Sequence, residues 1–205
     1  IKHNIIDIRD SAQLLSSSLT DDREEVPSGY YKEENMMSTV VPNRNAIFIS
    51  FLYGHSLSIS KTYQKNIDIS LGVHSGDHAI YPDCRKEFYD KILEAFEIGN
   101  WNDNNINLYL PYLELSKSDI LKDALDSTEK LNLDFNTIFK NTITGYCPDK
   151  NGISSGNTGS DIERILAFDE IGLIDPIKYS KSWDEVLENA KIIEKKFKRQ
   201  TKDLK

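Results

Sequence analysis

Apolar and polar positions alternate with two periods along this chain. Residues 3–8 (HNIIDI) alternate with the two-residue period of a strand, and residues 13–18 read as a helical turn. Residues 21–37 (DDREEVPSGYYKEENMM) are polar, hold Pro27 and Gly29, and read as a long loop or a mobile lid. Residues 39–41 are expected to be extended, because Pro42 pushes its predecessor out of the helical region. Asn43 is then expected to cap a helix running to about Ser60. Ala46, Ile47, Ile49, Phe51 and Leu52 make that helix apolar around most of its circumference, which predicts burial against a sheet. Residues 67–73 form a compact apolar strand.

The second half continues the alternation. Residues 86–97 carry Phe88, Ile92, Leu93 and Phe96 at helical spacing, and residues 106–110 form a strand closed by Pro111. Ser116 opens a helix through Leu125 with the pattern S-x-x-D, a capping box. Residues 151–160 (NGISSGNTGS) read as loop, residues 162–171 as a helix, and residues 183–197 as a long charged helix. Strands alternating with helices of this length predict an α/β fold, a parallel sheet flanked by helices. The expected organisation is a single domain over residues 1–205, of which 159–205 form a C-terminal helical part. No internal repeat is visible.

Composition narrows the classes of function. With 205 residues, 39% hydrophobic and 28% charged, the chain can bury a full core. Its net charge of −8 argues against a broad nucleic-acid surface, since phosphate binding relies on clustered Lys and Arg. The lysine-rich stretch 191–205 reads as a solvated final helix. No apolar run is long enough to span a bilayer, so no membrane and no direct nucleic-acid partner are expected, and a cytoplasmic location is. Two cysteines, Cys84 and Cys147, cannot build a disulfide framework or a four-thiolate zinc site.

Candidate chemistry concentrates in residues 71–85 (LGVHSGDHAIYPDCR), directly after an apolar strand. In open α/β sheets ligands bind at the carboxyl ends of strands. Asp77 and Asp83 beside Arg85 suit a small, planar, hydrogen-bonding ligand that itself carries a carboxylate. Residues 41–45 (VPNRN) set Asn43, Arg44 and Asn45 at a helix start, where an anion is favoured; on these residues alone a plain N-cap is the stronger reading. Lys117 sits in the first turn of a helix, against the dipole, which an anionic ligand or solvent exposure would explain. Residues 146–168 place an isolated cysteine before a glycine-rich loop that fits no phosphate-loop pattern. Cys84 reads as a packing residue. His74 and His78 have the i, i+4 spacing of half a metal site, without a third ligand.

Taken together and in this order, these segments resemble the 7-cyano-7-deazaguanine synthase family. VPNRN resembles the family's VPxRN, and GVHSGDHAIYPDCRKEF its GVxxxDxxxYPDCRxEF. Leu115-Ser116-Lys117 matches a third block, and Leu19-Thr20-Asp21-Asp22 fits the family's variable lid region. The resemblance implies a Rossmann-like adenine nucleotide alpha-hydrolase fold and a homodimer. It implies a ligase that uses ATP, ammonia and Mg2+ to convert 7-carboxy-7-deazaguanine to 7-cyano-7-deazaguanine for tRNA or DNA modification. Transferred to matching positions, it implies catalytic roles for Asp77, Arg85 and Lys117. Asn43, Arg44, Asn45, His78, Tyr81 and Asp83 would form the substrate pocket. Asp77 would accept from the guanine-like N–H edge, Arg85 or Arg44 would pair with the carboxylate, and Lys117 would contact the phosphate or adenylate.

Two departures set further expectations. The family's pyrophosphate loop, SGGxDS, does not occur in the sequence. The chain opens on Ile at the point where the family's third strand should begin, so an omitted N-terminal segment is expected. The family's zinc cysteines fall on Cys147, Ser155, Thr158 and Asp161; hydroxyl groups are poor zinc ligands. No structural zinc and no metal ligands are therefore expected, with hydrogen bonds holding the loop and Ser160 or Asp161 capping the next helix. Two alternatives stay open: a defence-associated ligase that attaches the carboxy-deazaguanine to a protein amine, and a degenerate non-catalytic binding relative.

Overall fold

The computed structural model describes residues 3–21, 23–30, 34–101 and 105–203. Its centre is a parallel pair of strands, β1 (Ile67–Ser70) and β2 (Ile106–Tyr109), in register Ile67 to Ile106 through Ser70 to Tyr109. A one-turn helix, α1 (Arg9–Ala12), precedes α2 (Arg44–Tyr63), and α3 (Lys86–Gly99) makes the crossover between the strands. Strand and helix meet because their apolar positions face each other: Tyr53 and Leu57 of α2 bury with Ile69 and Ile106, and Leu93 and Phe96 of α3 pack on this cluster. The alternate strand residues, Asp68, Ser70, Asn107 and Tyr109, are exposed. The fold is thus the expected α/β type, a parallel sheet flanked by helices.

The remainder is helical: α4 (Lys117–Lys130), α5 (Phe135–Lys140), α6 (Gly159–Glu170) and α7 (Trp183–Asp203). Helix α6 is its hub. One side joins Ala167 and Phe168 to Leu121 of α4 and Phe135 of α5; the other joins Ile162 and Ile165 to Val186 and Ala190 of α7. Arg164 of α6 is buried with Asp175, Nε to Oδ2 at 2.5 Å and Nη2 to Oδ1 at 2.8 Å. Thr142 and Thr144 accept from its Nη1 at 2.8 and 3.0 Å, so most of the fork is satisfied.

Several local expectations are corrected. Residues 3–8 are not a strand; no described segment pairs with them, and Ile5 and Ile6 lie exposed. The helical turn expected at 13–18 falls earlier, in α1, and 13–18 are turns and irregular chain. Thr39 is not extended; it ends a 3-10 helix, Glu34–Thr39, inside the expected 21–37 loop and its flank. Residues 22 and 31–33 of that loop lie outside the described residues, and Ser28 bridges to Thr158. Asn43 holds the cap position of α2, but at φ 56° and without a side-chain cap bond. Asn tolerates the left-handed turn needed after Pro42, and the turn carries its amide away from the helix amides. On α2 only one face is buried; Phe48, Phe51 and Leu52 are exposed. The strands are shorter than their apolar runs, because pairing stops where the loops diverge. Helix α6 begins at Gly159, inside the segment expected as loop, and α4 and α7 run longer than their apolar patterns. No helix among the described residues is long and apolar enough to cross a membrane.

Candidate functional site

Beyond β1 the chain cannot remain extended, since Leu71 N–H still donates to the Tyr109 carbonyl but no residue after it does. His74 breaks the direction. Its backbone is extended, its Nδ1 accepts from Gly76 N–H at 3.0 Å, and its own N–H donates to Asp77 Oδ2 at 3.3 Å. This reciprocal cap starts a 3-10 turn, Ser75–Ala79. Ser75 is pinned to the loop before α4, its N–H and Oγ donating to the Leu115 carbonyl at 3.0 and 2.8 Å. A second turn, Pro82–Cys84, leads into α3.

The turn Ser75–Ala79 forms a wall between two cavities. On one side, at the carboxyl end of β1, a cavity of about 240 Å³ is lined by Arg44, Asn45, Asp77, Tyr81, Tyr146 and Phe48, with Leu71, Gly72, Val73, Cys84 and Tyr89 completing it. Tyr81 is buried, and its hydroxyl lies in a chain: Thr39 donates to the Met36 carbonyl at 2.7 Å, so Tyr81 donates to Thr39 at 2.5 Å and accepts from Tyr146 at 3.1 Å. The Arg44 guanidinium lies 5.8 Å from the Tyr81 ring centre, a cation–π contact, and has no carboxylate partner among the described residues. Asn45 Nδ2 lies 3.4 Å from both the Asp83 carbonyl and the Cys84 sulfur, tying α2 to the second turn. Burial pushes the Cys84 thiol up to about 12, so it is a neutral packing group at neutral pH. Burial likewise raises the Tyr89 phenol.

On the other side, Lys117, Ser116, Ser118, Gly76 and Glu163 line a second cavity of about 180 Å³. Lys117 is explained neither by solvent nor by helix capping: its Nζ lies 2.6 Å from Glu163 Oε2 of α6, with both side chains 19% exposed. Helix α4 is capped by Ser116 and Asp119 as the sequence pattern predicts, Ser116 Oγ accepting from Asp119 N–H at 3.2 Å.

The structure therefore brings Arg44, Asn45, Asp77 and Tyr81 together and sets Lys117 across the wall. Asn43, His78, Asp83 and Arg85 do not line the cavity. Arg85 is exposed, and its Nε donates to the His78 carbonyl at 2.9 Å, which braces the loop from outside. His78 Nε2 and Asp83 Oδ1 are buried without a hydrogen-bond partner among the described residues. Sequence reading missed Tyr146, Phe48 and Glu163. Tyr146 stands beside the cysteine that drew attention to its segment, whereas Glu163 is one acid among 33 and carries no local mark.

The positions of the family's zinc ligands do not fit zinc. Cys147 is exposed, and it lines a wide third cleft with Ser155 and Thr158. Asp161 is buried and its oxygens are engaged: Ser154 Oγ donates to Oδ1 at 2.7 Å, and Thr158 Oγ1 and N–H donate to Oδ2 at 2.8 and 3.3 Å. The helix cap is Thr158, with Asp161 answering from the third helical position, rather than Ser160 or Asp161 itself. A side chain at Gly145 would collide with the Asp161 carboxylate, so that glycine lets the preceding segment close over it. Among the described residues there is no group of three or more His, Cys, Asp or Glu placed to hold a metal ion.

A family model described as queuosine biosynthesis protein QueC matches residues 1–172. The 7-cyano-7-deazaguanine synthase 1 of Colwellia psychrerythraea is 41% identical over 182 residues, covering 87% of this chain and 74% of that protein. The 7-cyano-7-deazaguanine synthase of Caldicellulosiruptor saccharolyticus is 38% identical over 187 residues, 90% of this chain and 76% of that protein. That of Methanoregula boonei is 38% identical over 179 residues, 87% and 75% of the two chains. No solved structure matches the chain. With its strand-end cavity built from the matching motifs and this extent of identity, the chain belongs to the queuosine biosynthesis protein QueC family.

Proposed function

We propose that the chain acts as a 7-cyano-7-deazaguanine synthase, an ATP-dependent ligase whose base-binding cavity is the one at the carboxyl end of β1. The observation that carries this reading is the pairing of Asp77 and Arg44 across one small, aromatic-walled cavity. At about 240 Å³ it lies just below the usual range of ligand clefts, roughly 300–1,000 Å³, and suits a fused bicyclic base. Asp77 accepts from the N–H edge of the base, Tyr81, Tyr146 and Phe48 flank the ring, and Arg44 pairs with the 7-carboxylate. Arg44 takes this role in preference to Arg85, which lies outside the lining.

A carboxylate is a poor acyl donor. Its oxygen attacks the α-phosphorus of ATP, pyrophosphate leaves, and an acyl-adenylate forms. Ammonia adds at the carbonyl carbon and AMP leaves with the acyl oxygen bond, giving the amide and releasing a proton. A second ATP adenylates the amide oxygen and pyrophosphate leaves again; the carbon–oxygen bond then breaks to release AMP, and the two amide protons pass to solvent, leaving the nitrile. Lys117 supports the adenylate across the wall. The neutral Cys84 thiol takes no part, and an adenylate route needs none.

Titration with 7-carboxy-7-deazaguanine and with 7-deazaguanine tests the cavity, and mass spectrometry after incubation with ATP, magnesium and ammonium tests the reaction. The carboxylate form is expected to bind more tightly, and Arg44→Ala to remove about 1.5–3 kcal/mol of that preference, at least tenfold. Amide and then nitrile should accumulate. Equal binding of the two bases, or ATP consumption yielding only a modified protein amine, would overturn the assignment.

A further inference from the structure

The second cavity is lined by one group, Glu163, that neither the motifs nor the proposed reaction uses. Glu163 Oε2 lies 2.6 Å from Lys117 Nζ and 3.8 Å from His74 Nε2, while His74 Nε2 is 3.6 Å from Asp77 Oδ1. All four side chains are at most 19% exposed. The Lys117 contact is off the line of a hydrogen bond, so Oε2 keeps lone-pair capacity toward other groups. Because His74 Nδ1 accepts from Gly76 N–H, the proton of the neutral ring sits on Nε2 and points its charge density at Glu163 and Asp77. Gly76 makes the approach possible: a Cβ there would strike Glu163 Oε1 and the His74 ring.

We propose that Glu163 is a positioning residue: one carboxylate on α6 orients both Lys117, at the start of α4, and His74, the cap of the turn that carries Asp77. This rests on Asp77 and Lys117 serving the proposed reaction. The physical need is plain at Lys117, a mostly buried cation whose charge opposes the α4 dipole and which Glu163 compensates. Around His74 the charged and titratable groups are Glu163, Asp77, Lys117 and His78; the two acids favour its protonated form, while Lys117 and His78 oppose it. Glu163 thereby makes the helical half of the molecule part of the site.

The test is Glu163→Gln, which keeps shape and removes charge, with Glu163→Asp as the charge-keeping control. Ring-proton NMR of His74 is followed across pH, with kcat and KM for 7-carboxy-7-deazaguanine and the Tm of each variant. E163Q is expected to move the His74 titration to lower pH and to cut kcat/KM at least tenfold, while still melting cooperatively at a reduced Tm. E163D should return the titration toward wild type and recover part of the rate. Wild-type kinetics in E163Q, or lost rate with an unmoved His74 titration, overturns the proposal. If the wild-type chain neither binds nor converts the base, the functional reading fails; the His74 titration in E163Q then decides the Glu163 link by itself.

Discussion

Replacing Asp161 by Asn isolates what holds the glycine-rich loop. The carboxylate is 1% exposed and accepts from Ser154 Oγ, Thr158 Oγ1 and Thr158 N–H. Its charge is compensated by the N-terminus of α6, since Asp161 is the third helical residue. Asn offers one acceptor oxygen instead of two. Its least costly placement keeps that oxygen on Thr158 and turns the NH₂ to Ser154, whose Oγ already accepts from Gly156 N–H. Three charge-assisted bonds thus become two neutral ones and one poorly directed contact. Charge-assisted bonds contribute about 1.5–3 kcal/mol and neutral ones about 0.5–1.5 kcal/mol, so the two bonds that become neutral alone lose about 2–3 kcal/mol, a lower bound to which the third contact adds. For a chain of this size that is a Tm decrease of roughly 4–12 °C. Thermal unfolding by circular dichroism, with and without EDTA, reads it directly. Chelator is expected to leave the wild-type Tm unchanged, and metal analysis to find no stoichiometric zinc. A D161N melt within about 1 °C of wild type, or a chelator effect as large as the mutation, would refute the view that a buried carboxylate takes the place of a metal cross-link.

Asp175→Asn should cost more, about 3–5 kcal/mol, because it strands the buried Arg164 guanidinium; the check is the denaturation midpoint, which should fall with an unchanged m-value. The buried His74 carries a pKa below its ordinary value, chiefly through desolvation. The fold therefore favours the neutral ring: its contribution is complete above about pH 6.5 and is lost as pH falls below that toward the lower folded value. His74→Asn keeps a capping side chain that does not titrate. Between pH 7 and 5.5, wild type should lose Tm relative to this variant; parallel curves would exclude His74 as the acid-sensitive cap.

Local patterns were legible where a residue's neighbours in sequence are also its partners. The Ser116–Asp119 box, the amphipathic α3, and the parallel strand pair all follow from spacing of this kind. So did the composition of the strand-end loop, because its turn is capped within four residues by His74 and Asp77. Residues 3–8 show the limit, since an alternating pattern without a partner strand does not make a strand. Asn43 shows another: its residue type suits a cap, and the turn after Pro42 spends it on a left-handed backbone instead.

What the sequence by itself determined is the α/β class, the family, and the loop in which the chemistry is concentrated, each encoded in contiguous residues. Only the tertiary structure decided which charges meet. Arg44 rather than Arg85 faces the cavity, Lys117 stands across a wall from Asp77, and Glu163 reaches both Lys117 and His74 from a distant helix. The reason is physical: helix packing through Ile162, Ile165 and Phe168 sets where α6 lies, and those apolar contacts carry no trace of the carboxylate they deliver.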